Sequence, residues 1–130
     1  MANRIHDIGV ARRVGAYSDA VEIPQAARWL ITSGTPGIEL DGCAPDGITQ
    51  QAELAWRHIL AMLERADMTV EHIVKVTQYL VDVSDIPDYV KVRSRMLGNA
   101  RPASMLPVVP ALVRPSFRVE VEVIAARSIA

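Results

Sequence analysis

The sequence predicts an α+β domain in which two helices pack on one face of a mixed, six-stranded sheet. Two segments carry apolar residues at the three- and four-residue spacing of an amphipathic helix. Other segments alternate in polarity or are rich in β-branched residues, as strands are. The two kinds of segment are interleaved along a chain of 130 residues, which is the length of one compact domain. We therefore expect a single domain over residues 1–130.

The composition excludes several classes of protein. Half of the residues are hydrophobic and 22% are charged, which supports a packed core and excludes disorder. The formal net charge is -1 and no basic run is present, so neither nucleic acid nor an anionic membrane is an expected partner. No segment is long and apolar enough to span a bilayer. A single cysteine, Cys43, cannot form an internal disulfide, which fits a cytoplasmic location.

The first third of the chain is predicted to be mostly extended. Residues 5–14 indicate a weak strand, residues 15–19 a connection, and residues 21–23 a short strand. The β-prone run at 28–33 predicts an internal strand. Glycine, proline and aspartate residues at 41–47 predict a surface loop.

Two helices follow from the spacing of apolar residues. The first extends from Ile48 to about Met68, with Asp46 as its predicted N-cap. Asp85 is predicted to cap the second helix, and Gly98 supplies a C-terminal stop.

Three further strands complete the prediction. Residues 73–81 are rich in branched and aromatic side chains, and residues 104–109 indicate a strand weakened by a proline. From Phe117 the final segment alternates, with an apolar face and an opposite face that carries Glu120 and Glu122. Helices on one face of a sheet leave the other face uncovered, and a second copy of the chain is its simplest cover.

Five motifs lie in order along nearly the whole chain. They are GAYSDAV at 15–21, LITSG at 30–34, HIVKVT at 72–77, RPAS at 101–104 and VEVEVIA at 119–125. Together they resemble the motifs of the Rid family, the YjgF-like reactive intermediate deaminases. The resemblance implies a chorismate-mutase-like fold and a homotrimer with small-molecule ligand clefts between subunits. It also implies hydrolysis of short-lived enamines and imines to ketoacids and ammonia, without a metal or cofactor.

The sequence departs from this family where the substrate carboxylate is bound. Deaminating members carry an arginine directly after the Pro-Ala step, and here that position is Ser104; Leu106 stands where some members have a pocket cysteine. A neutral hydrogen bond from serine contributes about 1 kcal/mol, against roughly 1.5–3 kcal/mol for a bond to a charged group. The resemblance therefore implies a non-standard substrate. Arg101, Arg114 and Arg118 are candidates for a relocated cation.

The resemblance also assigns the candidate site residues. Glu120 matches the family glutamate that activates the attacking water, because hydrolysis of a C=N bond needs a base for water and an acid for nitrogen. The alternative for Glu120 is a solvated charge on the outer face of a strand. The three histidines share no metal-ligand spacing, so no metal site is expected. The candidate substrate-binding residues are Tyr17, Ser33, Gly34, Ser104 and Leu106.

Three functions remain open from the sequence. The first is hydrolytic deamination of a small enamine or imine. The second is a non-catalytic, metabolite-binding or regulatory trimer, because Ser104 and Leu106 make the pocket less cationic and more apolar. The third, an endoribonuclease-type translation inhibitor, is disfavoured by the near-neutral charge and the lack of a basic stripe.

Overall fold

Two helices cover one face of a five-stranded sheet in the computed structural model, which describes residues 2–129. This arrangement confirms the predicted α+β class. The strands are β1 (Arg4–His6), β2 (Ala20–Glu22), β3 (Ala27–Ile31), β4 (Thr35–Pro36), β5 (Ile73–Leu80), β6 (Ala103–Met105) and β7 (Val119–Ser128), and the helices are α1 (Ile48–Arg65) and α2 (Ile86–Leu97). Short 3₁₀ helices occupy Ala11–Arg13, Val70–His72 and Val83–Asp85.

Strand β7 occupies the centre of the sheet. The strand order is β3-β7-β5-β6, and β4 also pairs with β7. Strand β7 is antiparallel to β3, β4 and β5, whereas β5 and β6 are parallel, so the sheet is mixed as predicted. The sheet has five strands rather than six because β1 and β2 pair with each other in a separate ribbon.

The alternation predicted for the last strand is confirmed. Val119, Val121 and Val123 are buried in the core beneath the helices, while Glu120 and Glu122 project half-buried from the opposite face. Successive side chains of a strand point to opposite faces, so this register fixes both carboxylates on the face that the helices leave open.

A strand is present near the predicted range 28–33, but the prediction that it is internal is wrong in the isolated chain. Strand β3 lies at an edge of the sheet, paired with β7 alone. Trp29 and Ile31 are 57% and 69% exposed on the open face. A β-prone composition indicates a side-chain surface suited to packing, and it does not specify which molecule supplies the partner surface.

The N-terminal strand predicted at 5–14 is shorter than expected. It ends at His6 because the carboxylate of Asp19 accepts hydrogen bonds from the backbone N–H groups of the following residues. These donors are Ile8, Gly9, Val10 and Ala11, at 2.7, 3.2, 3.4 and 2.8 Å. The chain curls around this carboxylate into the 3₁₀ turn and so leaves the extended conformation.

Both predicted helix caps are corrected by the structure. Helix α1 begins after Gly47, and Asp46 offers its backbone carbonyl to Arg118 at 3.1 Å. Asp85 occupies the N-cap position of α2, but its side chain makes no cap hydrogen bond. Its buried carboxylate instead receives two hydrogen bonds from Arg118, at 3.0 and 2.8 Å. An aspartate before a helix has the right residue type for a cap, but a guanidinium fork is a stronger partner.

A buried glutamine joins α1 to the segment that enters β7. The side chain of Gln51 donates to the carbonyls of Pro45 and Ser116 and accepts the backbone N–H of Arg118 at 2.8 Å. A Cβ at Gly37 would lie 1.9 Å from the carbonyl oxygen of Gln51, so the chain beyond β4 runs directly against the helix. These contacts fix where β7 begins relative to β4.

We predict that Asp85→Asn destabilises the protein by about 1–3 kcal/mol, since it leaves the Arg118 guanidinium without its ionic partner. Unfolding by guanidinium chloride at a fixed protein concentration measures the change in the free energy of unfolding. The matched control is Asp88→Asn, which removes an exposed pair with Lys91 at 3.7 Å and should cost less than about 0.5 kcal/mol. Equal losses in the two variants would contradict the proposed role of Arg118.

Candidate functional site

The carboxyl group of Glu120 lies against the backbone of Gly34. A Cβ at position 34 would stand 2.6 Å from Oε1 of Glu120, so only glycine leaves room for the carboxylate in this position. The approach follows from the sheet, because Glu120 pairs with Pro36 of β4 on one side and with Tyr79 of β5 on the other. The sequence-predicted residues Ser33, Gly34 and Glu120 are thereby brought together.

Glu120 accepts no hydrogen bond from any group in the described chain, residues 2–129. Burial raises the pKa of the Glu120 carboxyl above its ordinary value, and the negative charge of Glu122 raises it further. A carboxyl group with a raised pKa holds a proton more readily near neutral pH. The group is thus suited to both accepting and returning a proton.

Glu122 differs from Glu120 because it has a partner. The hydroxyl of Tyr79 donates a 2.9 Å hydrogen bond to Glu122, and this bond raises the pKa of the tyrosine. Glu122 also lines a small cavity of about 130 Å³ on the open face, together with Lys75 and Thr77 of β5. Glu120 is therefore the less constrained of the two carboxylates.

Groups that could contact a ligand accompany the Glu120 carboxylate. The backbone N–H of Gly34 has no acceptor among residues 2–129, and the carbonyl of Ser33 accepts the Thr35 hydroxyl at 3.0 Å. The Ser33 side chain is exposed. A free N–H beside a carboxylate offers a donor and a base to the same small molecule.

Ser104 and Leu106 lie on the other side of the sheet. Ser104 pairs with buried Val76, and its hydroxyl accepts a 3.1 Å hydrogen bond from the buried amide of Gln78. Leu106 packs against the hydrophobic core. In the isolated chain these two side chains therefore face the helix layer, whereas Glu120 faces away from it.

Tyr17 lies one residue before a segment that contacts β6, the strand that carries Ser104. The neighbouring Ser18 is buried, its backbone N–H donates to the carbonyl of Pro102, and it forms an isolated parallel bridge with Ala103. Tyr17 is half-buried beside this bridge.

The predicted site residues thus form two groups on one chain. Ser33, Gly34 and Glu120 lie where β4 meets β7, and Tyr17, Ser104 and Leu106 lie at β6. Strand β5 separates β6 from β7, so at least two strand spacings, roughly 10 Å, lie between the groups. Ser104 and Leu106 face the helix layer, whereas Glu120 faces away from it. Within residues 2–129, Ser104 and Leu106 therefore do not face Glu120.

The three arginines named as candidates for a relocated cation are engaged elsewhere. Arg118 is bound to Asp85, and Arg114 stacks over Phe117 with 5.5 Å between the guanidinium carbon and the ring centre. Arg101 donates to the carbonyls of Gly98 and Ala100, at 2.8 and 2.9 Å. Its guanidinium is held at the carboxyl end of α2, away from Glu120.

Two residues that were not predicted from the sequence are connected to Ser104, Gln78 directly and Arg93 through Gln78. Gln78 lies buried in β5, and its amide oxygen accepts hydrogen bonds from Tyr89 at 2.9 Å and from Arg93 at 3.3 Å. Arg93 is 8% exposed, although it is charged. A sequence signal existed for it, because Arg93 lies four residues after Tyr89 and one after Val92, on the apolar face of α2.

The described chain offers no metal site and no membrane span. Residues 2–129 contain no group of three or more histidine, cysteine, aspartate or glutamate side chains placed to hold a metal ion. Each histidine contacts a group of its own chain: His6 contacts Glu22, His58 contacts the Ile38 carbonyl, and His72 accepts the Thr69 N–H. No helix in this range is both long and apolar enough to cross a bilayer.

Comparison with known proteins gives a family match over most of the chain. The model of the family described as Endoribonuclease L-PSP matches residues 10–127. Protein DfrA of Myxococcus xanthus is 30% identical over 125 residues, which cover 93% of this chain and 92% of DfrA.

Two solved structures have the same fold. Rv2704 of Mycobacterium tuberculosis, described as a member of the YjgF/YER057c/UK114 family, has a TM-score of 0.67 and 27% identity, and the match covers 95% of this chain and 98% of Rv2704. YyfB of Yersinia pestis, described as a protein of unknown function of the Rid family, has a TM-score of 0.83 over 98% of this chain and 100% of its own. At 19% identity, YyfB supports the fold alone.

The resemblance drawn from the five sequence motifs is confirmed by these matches, which extend over the motifs and the fold together. The chain belongs to the Endoribonuclease L-PSP family, as a Rid/YjgF-like protein with a chorismate-mutase-like fold.

Proposed function

We propose that the protein is a cytoplasmic hydrolytic deaminase that converts a small, reactive imine or enamine to a carbonyl compound and ammonia. The observation that carries this proposal is the Glu120 carboxyl, which is half-buried, unpaired within residues 2–129 and has a raised pKa. A solvated rim charge would have an ordinary pKa and no tight approach to a backbone. The Glu120 carboxylate instead lies directly against Gly34, whose backbone N–H has no acceptor among residues 2–129.

The chemistry needs one carboxyl group and water. The ionised Glu120 removes a proton from water as the water oxygen bonds to the imine carbon and the nitrogen takes up the π electrons. The protonated Glu120 then returns its proton to the amine nitrogen. The regenerated carboxylate takes the proton of the carbinolamine hydroxyl and passes it to the amine nitrogen. The C–N bond then breaks as the carbonyl forms, so ammonia leaves, one water is consumed and Glu120 ends ionised. The free N–H of Gly34 is placed to hold an oxygen of the substrate or of this intermediate.

We propose that the cleft forms between subunits of a homotrimer. Ser33, Gly34 and Glu120 would come from one protomer, and Tyr17, Ser104 and Leu106 from its neighbour, since the two groups occupy opposite faces of one sheet. The open face of the sheet supports association with further copies, because it exposes large apolar side chains in the isolated chain. These are Trp29, Ile31 and Met105.

The substrate of this cleft would lack the usual carboxylate contact at Ser104. The Ser104 hydroxyl already accepts a hydrogen bond from Gln78, and it offers no charge to an anion. Neutral imines and imines with a displaced anionic group are thus the substrates to test first, beside 2-aminoacrylate and 2-iminobutanoate.

We predict that Glu120→Gln lowers the rate of imine hydrolysis by about 10²–10⁴-fold, because the amide cannot act as the base. The imine is generated in the cuvette by a pyridoxal-phosphate lyase, and ammonia release is followed against a buffer blank. Glu64→Gln, on the exposed side of α1, is the control and should retain full activity. Wild-type protein that binds these compounds without accelerating ammonia release would instead favour the non-catalytic, metabolite-binding function.

The pH profile supplies an independent prediction. The charge of Glu122 raises the pKa of Glu120, so Glu122→Gln lowers that pKa, and the basic form of Glu120 then persists to lower pH. The acid limb of the kcat/KM profile should move to lower pH, while Tyr79 keeps an acceptor in the glutamine oxygen. An acid limb that stays in place in Glu122→Gln would show that Glu120 does not set it.

Gly34→Ala tests the position of the carboxylate. The new methyl group would stand 2.6 Å from Oε1 of Glu120 and must displace it, so we predict a loss of about 10²-fold in kcat with the fold retained. Gly47→Ala is the matched control, because its Cβ meets only the Gln50 side chain at 3.5 Å. Circular dichroism verifies folding of both variants, and undiminished kcat in Gly34→Ala would count against the proposed geometry.

A further inference from the structure

A small cavity lined by two arginines lies between the carboxyl-terminal half of α2 and the loop that precedes Tyr17. Its volume is about 100 Å³, well below the roughly 300–1,000 Å³ of pockets that hold drug-sized ligands. We call it the Arg93 cavity. Its lining residues are Ala16, Arg93, Ser94, Leu97, Gly98 and Arg101.

Arg93 brings a buried positive charge to this cavity without an ionic partner. It is 8% exposed, and no carboxylate of residues 2–129 lies within 4 Å of it. Its hydrogen bond to the Gln78 amide oxygen is long, at 3.3 Å, and uses one of the five guanidinium donors. A buried charge without a partner is costly, so an anion in the cavity would stabilise the folded protein.

Arg101 adds a second guanidinium that the fold holds in place. Its Nη1 donates to the carbonyls of Gly98 and Ala100 and so engages the partial negative charge at the carboxyl end of α2. Arg101 makes no ion pair within residues 2–129.

The cavity is connected to Ser104 through a single residue. The Gln78 amide donates to the Ser104 hydroxyl and accepts from Arg93, so it bridges the two side chains. Ala16 of the cavity directly precedes Tyr17, and Ser18 is bridged to Ala103. The buried guanidinium of Arg93 is thus joined through Gln78 to Ser104. Ser104 occupies the position at which the family resemblance implies an arginine in deaminating members.

We propose that the Arg93 cavity is a binding site for a small oxyanion, a carboxylate or a phosphate group, with Arg93 and Arg101 as its cationic ligands. A planar guanidinium fork gives paired, charge-assisted hydrogen bonds to either group. The volume admits one such group and excludes a larger molecule as a whole. The site does not depend on the deaminase chemistry, because Glu120 lies on the opposite face of the sheet.

The experiment titrates wild-type protein with inorganic phosphate and with 2-oxobutanoate by calorimetry, at a constant ionic strength set with chloride. We expect Arg93→Gln to weaken binding by at least about 10-fold, Arg101→Gln to weaken it by a smaller factor, and Arg65→Gln to leave it unchanged. Arg65 is exposed on α1 and serves as the charge-matched control. Unchanged affinity in Arg93→Gln would overturn the proposal, as would wild-type protein that binds neither anion.

A second measurement covers the case in which Arg93→Gln does not fold. In wild-type protein, the Arg93 side-chain N–H resonances should shift on anion addition, with the affinity seen in the calorimeter, while those of Arg65 stay in place. Arg93 resonances that do not respond to saturating anion would also overturn the proposal.

The two anions distinguish the source of the oxyanion. Binding of 2-oxobutanoate that is weakened by both Arg93→Gln and Gly34→Ala identifies the anion as the carboxylate of a molecule that reaches the Glu120 cleft. Binding of phosphate that is weakened by Arg93→Gln and unaffected by Gly34→Ala identifies a separate phosphate site. Glu120→Gln protein that loses imine hydrolysis but still binds the anion would show that hydrolysis and anion binding are separate functions. Each proposal can therefore fail without the other.

Discussion

The pairing of β7 with three other strands is the constraint on which the rest of the structure depends. It sets β3 and β4 on one side and β5 on the other. Its alternating side chains place the valines under the helices and Glu120 and Glu122 on the open face. A shift of one residue in this register would exchange the two sets, so core packing and site chemistry are specified by the same ladder. The Gln51 contacts and the Arg118–Asp85 pair fix the point at which β7 begins.

The same sheet accounts for the difference between its two carboxylates. Glu122 has the Tyr79 hydroxyl as a partner, whereas Glu120 has none among residues 2–129 and lies against Gly34. Burial raises the pKa of the Glu120 carboxyl, and the negative charge of Glu122 raises it further. The environment of Glu120 therefore follows from strand register, the neighbouring glycine and the charge of Glu122.

Ser104 lies at the edge of a buried polar network. Ser104 enters a polar network with Gln78, Tyr89 and Trp56, in which Trp56 donates to the Tyr89 hydroxyl at 3.2 Å. Arg93 joins this network from α2 through Gln78. A positive charge is thus joined to Ser104, but it is carried by a helix behind the sheet. Arg93 and Glu120 therefore lie on opposite faces of the sheet.

The class of fold, most of the strands and helices, and the family could be predicted from the amino-acid sequence. Period-2 alternation from Phe117 and helical spacing from Ile48 are local patterns that packing then reinforces, and the order of the five motifs is a property of the chain alone. The sequence reading failed where a distant partner decided the outcome. Asp85 has a residue type that is common at helix N-caps. Its carboxylate is instead bound by Arg118, which lies 33 positions away in the sequence.

The positions of the candidate site residues relative to one another could be read only from the tertiary structure. It placed Ser33, Gly34 and Glu120 together, separated them from Ser104, and revealed that Arg93 is buried. The physical reason is that side-chain direction follows from strand pairing and burial, which join residues far apart in the sequence. Residue types predicted the chemistry available to this protein, and the pairing of the strands determined which of those groups lie within reach of one another.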